Sequence, residues 1–313
     1  MYHPYFRGKQ YELITIREMA ALLKAANFRP IIEPVRETLG GLQKALDAVV
    51  EEQGRAIVIV NPHHGDLSED GEPLTALLKE KFALPGISAG ILLKQDTTLD
   101  EAIECYEAHA NHAPSFIHAG FTDPKALATK LGNPTQEHCH IFFDRFCGKL
   151  YQKHFKGAHR VLLRDGFEKK RNADYDPIEP FSDLHVTFID EGMNGFGDFL
   201  IVGDDFSEGG GPAYAVAIHL TFIDRDQDDV MKIYHFVSDS KDTPKDPAGK
   251  FAEALAKMMK TLNKRGSKVV ETEAVKEFRA FHQQGHFPGL GYVKKLSMNH
   301  HIETLAAYLK TAK

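Results

Sequence analysis

What most constrains this chain is a cadence: a short apolar run, a polar tip, then a helical stretch, recurring roughly every 20–30 residues. Continuous apolar runs belong to strands buried on both faces, and intervening helices make such strands parallel. The first run is Pro30-Ile31-Ile32-Glu33-Pro34-Val35, followed by Leu39, Leu42, Leu46, Val49 and Val50 at helical spacing. The next runs are 56–60, 90–93, 115–118, 140–144, 160–163 and 185–189. Helix starts are written between them. Thr98-Leu99-Asp100-Glu101 reads as a capping box, and Thr122-Asp123-Pro124 places proline at a first helical position. Seven runs in succession fit a closed barrel. A dinucleotide-binding sheet is disfavoured, because no Gly-rich fingerprint follows the first strand.

The cadence breaks after residue 192. Runs 213–223 and 230–238, joined by the acidic turn 224–229, read as a β-hairpin, and one of them is expected to supply the barrel's closing strand. Asp246-Pro247 caps an amphipathic helix that turns Phe251, Leu255, Met258, Met259 and Leu262 inward. A further helix is expected over 270–284 and a last one after Asn299-His300-His301. The expected fold is α/β: a variant (β/α)₈ TIM-like barrel with a hairpin insertion and C-terminal helices, one domain over 1–313. Its parts are an N-terminal helix within 1–28, barrel core and hairpin over 29–240, and a helical part over 241–313.

Composition excludes several classes. The net charge of -6 argues against nonspecific nucleic-acid binding, which needs a basic face. Three cysteines, Cys105, Cys139 and Cys147, make neither a disulfide framework nor a zinc-ligand spacing, so a cytoplasmic setting is expected. The N-terminus has no apolar stretch of the secretory kind, and no run approaches the ~20 residues that span a bilayer.

In a barrel all C-terminal strand tips lie on one face, the face that carries function. Those tips hold Glu33; Asn61, His63 and His64; Lys94; His118; Asp144 and Arg145; Arg164 and Asp165; Asp190 and Glu191. A helix over 10–26 running down to the first strand would bring Arg7 and Lys9 to the same face. Glu33, His118, Asp144 and Asp165 are the candidate acid/base groups. Arg7, Lys9, Asn61, Lys94 and Arg164 are candidate substrate-binding groups for an anion. Glu33, Asp144 and Asp190 are the carboxylates that would hold Mg²⁺ or Mn²⁺, if either is used. Lys94 is also placed for Schiff-base chemistry. The plainer alternative is that Lys94 and Arg164 pair with Glu33 and Asp144 as an ion network closing the barrel.

Other features carry less. Gly209-Gly210-Gly211 lacks the Lys-Ser/Thr of a phosphate loop and reads as a flexible turn. The aspartates of 224–229 have no glutamate at calcium-loop spacing. No Gly-x-Ser-x-Gly elbow occurs, and His300-His301 reads as packing at a helix start.

The opening Tyr5-Phe6-Arg7-Gly8-Lys9-Gln10-Tyr11-Glu12, then Pro30-Ile31-Ile32-Glu33-Pro34, resembles the bacterial and prophage "beta" protein family. The nearest branch is the one encoded beside a small restriction-nuclease-like protein. Phe196-Gly197-Asp198-Phe199, Pro212-Ala213-Tyr214, His219-Leu220-Thr221-Phe222 and Asn299-His300-His301-Ile302 extend the resemblance over nearly the whole chain. It implies a barrel-like fold, a phage-defence or mobile-element setting and a nuclease-like partner, but no particular reaction. It also marks Arg7, Lys9, Glu33, Asp198 and His300 as positions matching family motifs, and adds Asp198 to the candidate substrate-binding groups.

Three functions compete on these observations. The first is an enzyme, hydrolytic in character, acting on a phosphate-bearing or otherwise anionic substrate. The second is a non-catalytic sensor or scaffold regulating a nuclease-like partner. The third is a lyase or isomerase using Lys94. An open mouth with converging tips favours an enzyme; a mouth filled by paired charges favours a scaffold.

Overall fold

The structure, a computed structural model, describes residues 1–82, 86–132, 134–209 and 211–311. Gly210 lies outside them, and with it the reading of the triple-glycine turn. Eight parallel strands close into a (β/α)₈ TIM-like barrel: β1 (Tyr2–Phe6), β2 (Ile31–Ile32), β3 (Ala56–Ile59), β4 (Ile87–Lys94), β5 (Ser115–Ala119), β6 (Cys139–Phe143), β7 (His159–Leu163) and β9 (Gly195–Asp198). Closure is the pairing of β9 with both β7 and β1. The expected helix starts are present. Thr98 and Glu101 form a reciprocal capping box, and Asp123 accepts the Ala126 N–H ahead of helix Pro124–Leu131.

The chain divides into two compact units. The barrel comprises residues 1–164 and 187–198; residues 165–186 and 199–313 form the second. There β10 (Ala217–Asp224) and β11 (Val230–Val237) pair as the expected antiparallel hairpin, and β8 (Ile178–Ser182) pairs on the far side of β11. Helices Pro247–Leu262, Glu273–Gln284 and Leu290–Thr311 complete this unit. Its core joins Ile218, Leu220 and Phe236 of the sheet to Phe251, Leu255, Met258 and Phe278 of the helices. All five apolar residues expected on the inner face of the first helix are buried.

Four expectations are corrected. The barrel begins with β1, where polar residues and Pro4 mask a strand; the helices Gln10–Glu18 and Ala20–Ala25 follow it. The closing strand is β9, not a strand of the hairpin. Run 185–189 is no strand: Leu184–Thr187 is a helical turn, with Val186 and Ile189 exposed. The last helix starts at Leu290, so His300 and His301 lie inside it rather than at its start. His300 is a buried clasp whose Nε2–H donates to the Thr221 carbonyl at 2.8 Å, while its Nδ1 accepts from the Thr272 hydroxyl at 2.8 Å. That bonding leaves no nitrogen for a ligand. Among the described residues no helix is long and apolar enough to cross a membrane.

Candidate functional site at the barrel mouth

Side chains alternate along a strand, so Tyr5 and Arg7 share one face of β1, and Ile31, the register partner of Tyr5, shares its face with Glu33. That face is the barrel interior, and Arg7 and Glu33 emerge at its C-terminal mouth. Gly8 turns the chain there with φ +63°, and a Cβ at this position would sit 3.1 Å from the Glu33 carbonyl oxygen. The turn delivers the Arg7 N–H to the buried Glu12 Oε2 at 2.6 Å.

Glu33 is the anchor of the mouth. Its side chain is 0% exposed and forms an ion pair with Arg7, which is 7% exposed. One carboxylate oxygen also accepts from Tyr5 Oη at 2.7 Å; the other accepts the backbone N–H groups of His63 at 3.0 Å and His64 at 3.2 Å. Burial pushes the Glu33 carboxyl up, but the Arg7 charge and the Tyr5 hydrogen bond, helped by His64 and the His63 N–H, bring it below the usual range. It is therefore ionised at neutral pH and fully engaged. That makes it a positioning residue, a correction to its reading as an acid/base group.

What Glu33 positions is the His63-His64 loop. Gly65 follows with φ +79° and packs so closely that a Cβ would lie 2.1 Å from the Val35 carbonyl oxygen. The two imidazoles meet edge to face at 4.8 Å. Burial lowers the His64 pKa; Glu33 opposes this, while the charges of Arg7, His63 and Lys94 add to it. His64 is thus a neutral, half-buried base among cations at the mouth. Lys94, the last residue of β4, is half-buried, and its N–H is held by Thr97 Oγ1 at 3.0 Å. Lys9 is half-buried at the position preceding helix Gln10–Glu18.

Tyr5 meets Phe143 edge to face at 5.7 Å, so the next polar tip, Asp144, follows directly from that contact. Asp144 Oδ2 accepts from Arg164 Nε at 2.6 Å, and Arg164 Nη2 lies 3.8 Å from Glu191 Oε1. Lys149 pairs with Glu191 as well. Paired charges therefore cover this side of the mouth. With Asp144 36% and Arg164 29% exposed, the bridge is solvated, and Asp144→Asn should cost about 1 kcal/mol or less in urea denaturation. A loss of several kcal/mol would instead mark it as a buried pair.

No family model, curated protein or solved structure matches the chain. The geometry also removes several candidates from the mouth. His118 is 0% exposed and lies on the helix-facing side of β5, where its Nδ1 meets Tyr151 Oη at 2.8 Å and its Nε2 meets His140 Nδ1 at 3.0 Å. Burial, then the charge of His140, keeps it neutral. Asn61 spends its amide on the Leu92 backbone, accepting at 2.8 Å and donating at 2.9 Å, and so extends the ladder between β3 and β4. Asp198 accepts from Tyr2 Oη at 2.7 Å on the outer face of β9. Asp165 belongs to the second unit, where it accepts the N–H groups of Phe167 and Asp204 and fixes a loop. Asp190 is exposed, and its neighbour Glu191 makes the ion pairs. Among the described residues no three His, Cys, Asp or Glu side chains converge on a common point, so Glu33, Asp144 and Asp190 do not assemble a donor set for Mg²⁺ or Mn²⁺. The cadence of runs and tips carries no signal for Tyr5 or Glu12, which are marked only by the Tyr5-to-Glu12 motif in which they stand. For His64 there was one, the Pro-His-His-Gly turn directly after a strand.

Proposed function

We propose that the barrel mouth binds a small phosphate-bearing or otherwise anionic substrate and acts on it hydrolytically. One observation carries this reading: the buried Glu33 carboxylate clamps Arg7 and the His63-His64 backbone, holding a neutral imidazole amid cationic charge. In this reading Lys94 attracts the anion and His64 accepts the proton of the attacking water, while the Arg7–Glu33 pair and Tyr5 position them. Cys105, Cys139 and Cys147 all carry free thiols, which accords with a cytoplasmic setting.

The test is hydrolysis of p-nitrophenyl phosphate and bis-p-nitrophenyl phosphate by the wild type, His64→Gln and Lys94→Gln. His64→Gln should lower kcat/KM by about 100-fold or more, and Lys94→Gln should act mainly on KM. Protonation removes the base, so activity should hold at neutral pH and fall only on acidification below the ordinary imidazole range of ~6.5. No turnover of either ester by the wild type would overturn the hydrolytic reading.

The second reading, a sensor or scaffold for a small nuclease-like partner in a phage-defence setting, draws on the charge pairs Lys149–Glu191 and Arg164–Asp144. It would be favoured if the wild type showed no turnover and the triple change Lys149→Ser, Arg164→Ser, Glu191→Ser abolished co-purification of that partner.

A further inference from the structure

The second unit holds a cleft of ≈ 240 Å³ that the mouth reading does not use. Its lining includes Lys169, Lys170 and Lys294 and no carboxylate, beside Phe167, Tyr175 and His219. Lys170 is paired with Glu168 at 3.2 Å and Glu179 at 3.0 Å, so Lys169 and Lys294 give the cleft its positive charge, with one imidazole in its wall. That imidazole is not isolated. His219 on β10 stands directly opposite His235 on β11, and their Nδ1 atoms are 2.7 Å apart. On the far side, His235 Nε2 lies 3.6 Å from Oε2 of Glu179, on β8. Tyr175 stacks on His235 at 4.3 Å and 14°, fixing the plane of the ring. The sheet therefore carries a row, Glu179 to His235 to His219, that ends in the cleft.

The protons in this row follow from donor and acceptor counting. Two nitrogens 2.7 Å apart share one proton, so one donates and the other accepts. Glu179 is a carboxylate: burial raises its pKa, but Lys170 at 3.0 Å and the Asp176 N–H at 3.1 Å bring it below the usual range. A carboxylate only accepts, so the proton of His235 belongs on Nε2, facing Glu179. His235 Nδ1 is then the acceptor, His219 Nδ1–H the donor, and His219 Nε2 a bare lone pair. Among the described residues Nδ1 makes the sole hydrogen bond of the His219 ring, and the side chain lines the cleft. Burial keeps both rings neutral, taking His235 down to about 4 and His219 well below 6.5; the charge of Lys294 adds to the effect on His219. Near His235 the carboxylates Glu179 and Asp176 oppose burial, while the charge of Lys170 adds to it.

A lone pair amid lysines selects among anions. A carboxylate or sulfate is fully deprotonated near neutrality and offers Nε2 nothing. A phosphate group, with its second pKa near ~6, still carries a P–OH for part of the population and can donate it. We propose that this cleft binds a small phosphate-bearing molecule, held by Lys169 and Lys294, with His219 accepting a hydrogen bond or proton from the phosphate and His235 and Glu179 spreading the resulting charge. This site is independent of the barrel mouth.

The experiment is calorimetric titration of the full chain carrying Lys94→Gln and His64→Gln, which silences the mouth. The probes are inorganic phosphate, glycerol 3-phosphate, adenosine monophosphate and sulfate. Phosphate should bind at least about tenfold more tightly than sulfate, because one hydrogen bond to a charged group is worth that factor. Binding should take up protons, read as a heat that depends on the buffer's ionisation enthalpy. His219→Leu, which removes the acceptor, should erase the preference over sulfate, whereas exposed Lys294→Gln should weaken both anions and keep the preference. If inorganic phosphate alone binds, the source is free phosphate; if the esters bind more tightly, it is a phosphorylated metabolite. Where His219→Leu fails to fold, ¹⁵N shifts of His219 in the Lys94→Gln, His64→Gln chain decide, since phosphate must move Nε2 from unprotonated toward protonated. Equal affinity for phosphate and sulfate, no binding of phosphate at millimolar concentration, or an unmoved Nε2 signal would each overturn the proposal.

Discussion

Glu33→Gln should destabilise the barrel by about 3–5 kcal/mol, because it leaves the Arg7 guanidinium buried without its counter-charge. The amide keeps the shape of the carboxylate and can still accept from Tyr5 or from the His63 and His64 N–H groups, so the loss reads the charge rather than a cavity. Removing the cation too should recover much of it: Arg7→Met combined with Glu33→Gln should be more stable than Glu33→Gln alone, since no uncompensated charge remains. Acid dependence gives a second measure. The folded Glu33 carboxyl titrates below its unfolded value, so its contribution is complete above an ordinary glutamate pKa of ~4.3 and is lost as pH falls through the lower folded value. The gap between wild type and Glu33→Gln, followed by urea denaturation, should therefore close over that acidic window. A gap that stays constant to low pH would show that the carboxylate charge does not stabilise the barrel.

Gly197→Ala should prevent the barrel from closing. A Cβ on this β9 residue would lie 2.1 Å from the His3 carbonyl oxygen and 2.4 Å from Leu163 Cδ2. The first contact is backbone of β1 at the paired position His3↔Gly197, so relief requires opening the seam. The cost should exceed the ~1–3 kcal/mol of ordinary overpacking, and it should appear as loss of soluble, folded protein. Gly148→Ala is the control: that residue has an ordinary φ of -66°, and a Cβ there would meet nothing within 4 Å, so the change should stay within about 0.5 kcal/mol of neutral. Equal stability of the two variants would mean that the β9 seam tolerates an opening.

Local chemistry alone determined a good part of this protein. The continuous apolar runs marked β2 to β7 in order, because strands buried on both faces need them. Capping residues Thr98, Asp123 and Asp246 marked helix starts, because each side-chain oxygen accepts a free N–H of the first turn. The hairpin turn was equally local. Strand tips grouped Glu33, Lys94, Asp144 and Arg164 together because parallel strands end on one face.

The tertiary structure decided what no local pattern encodes. β1 and β9 hold histidine, proline and glycines rather than apolar runs, and they are strands because closing the seam requires backbone in those places and leaves no room for a Cβ at Gly197. Run 185–189 has strand composition but no partner strand, and it folds as a helical turn. In a run buried on both sides, the face a residue takes is invisible, and one step separates the barrel interior from the helix layer. That step carries His118 away from the mouth and stacks it at 4.8 Å on Phe142, while Glu33 stays and meets Arg7. Whether a strand-tip charge becomes an anchor, a solvated pair or a base depends on which partners the closed barrel brings within hydrogen-bond reach.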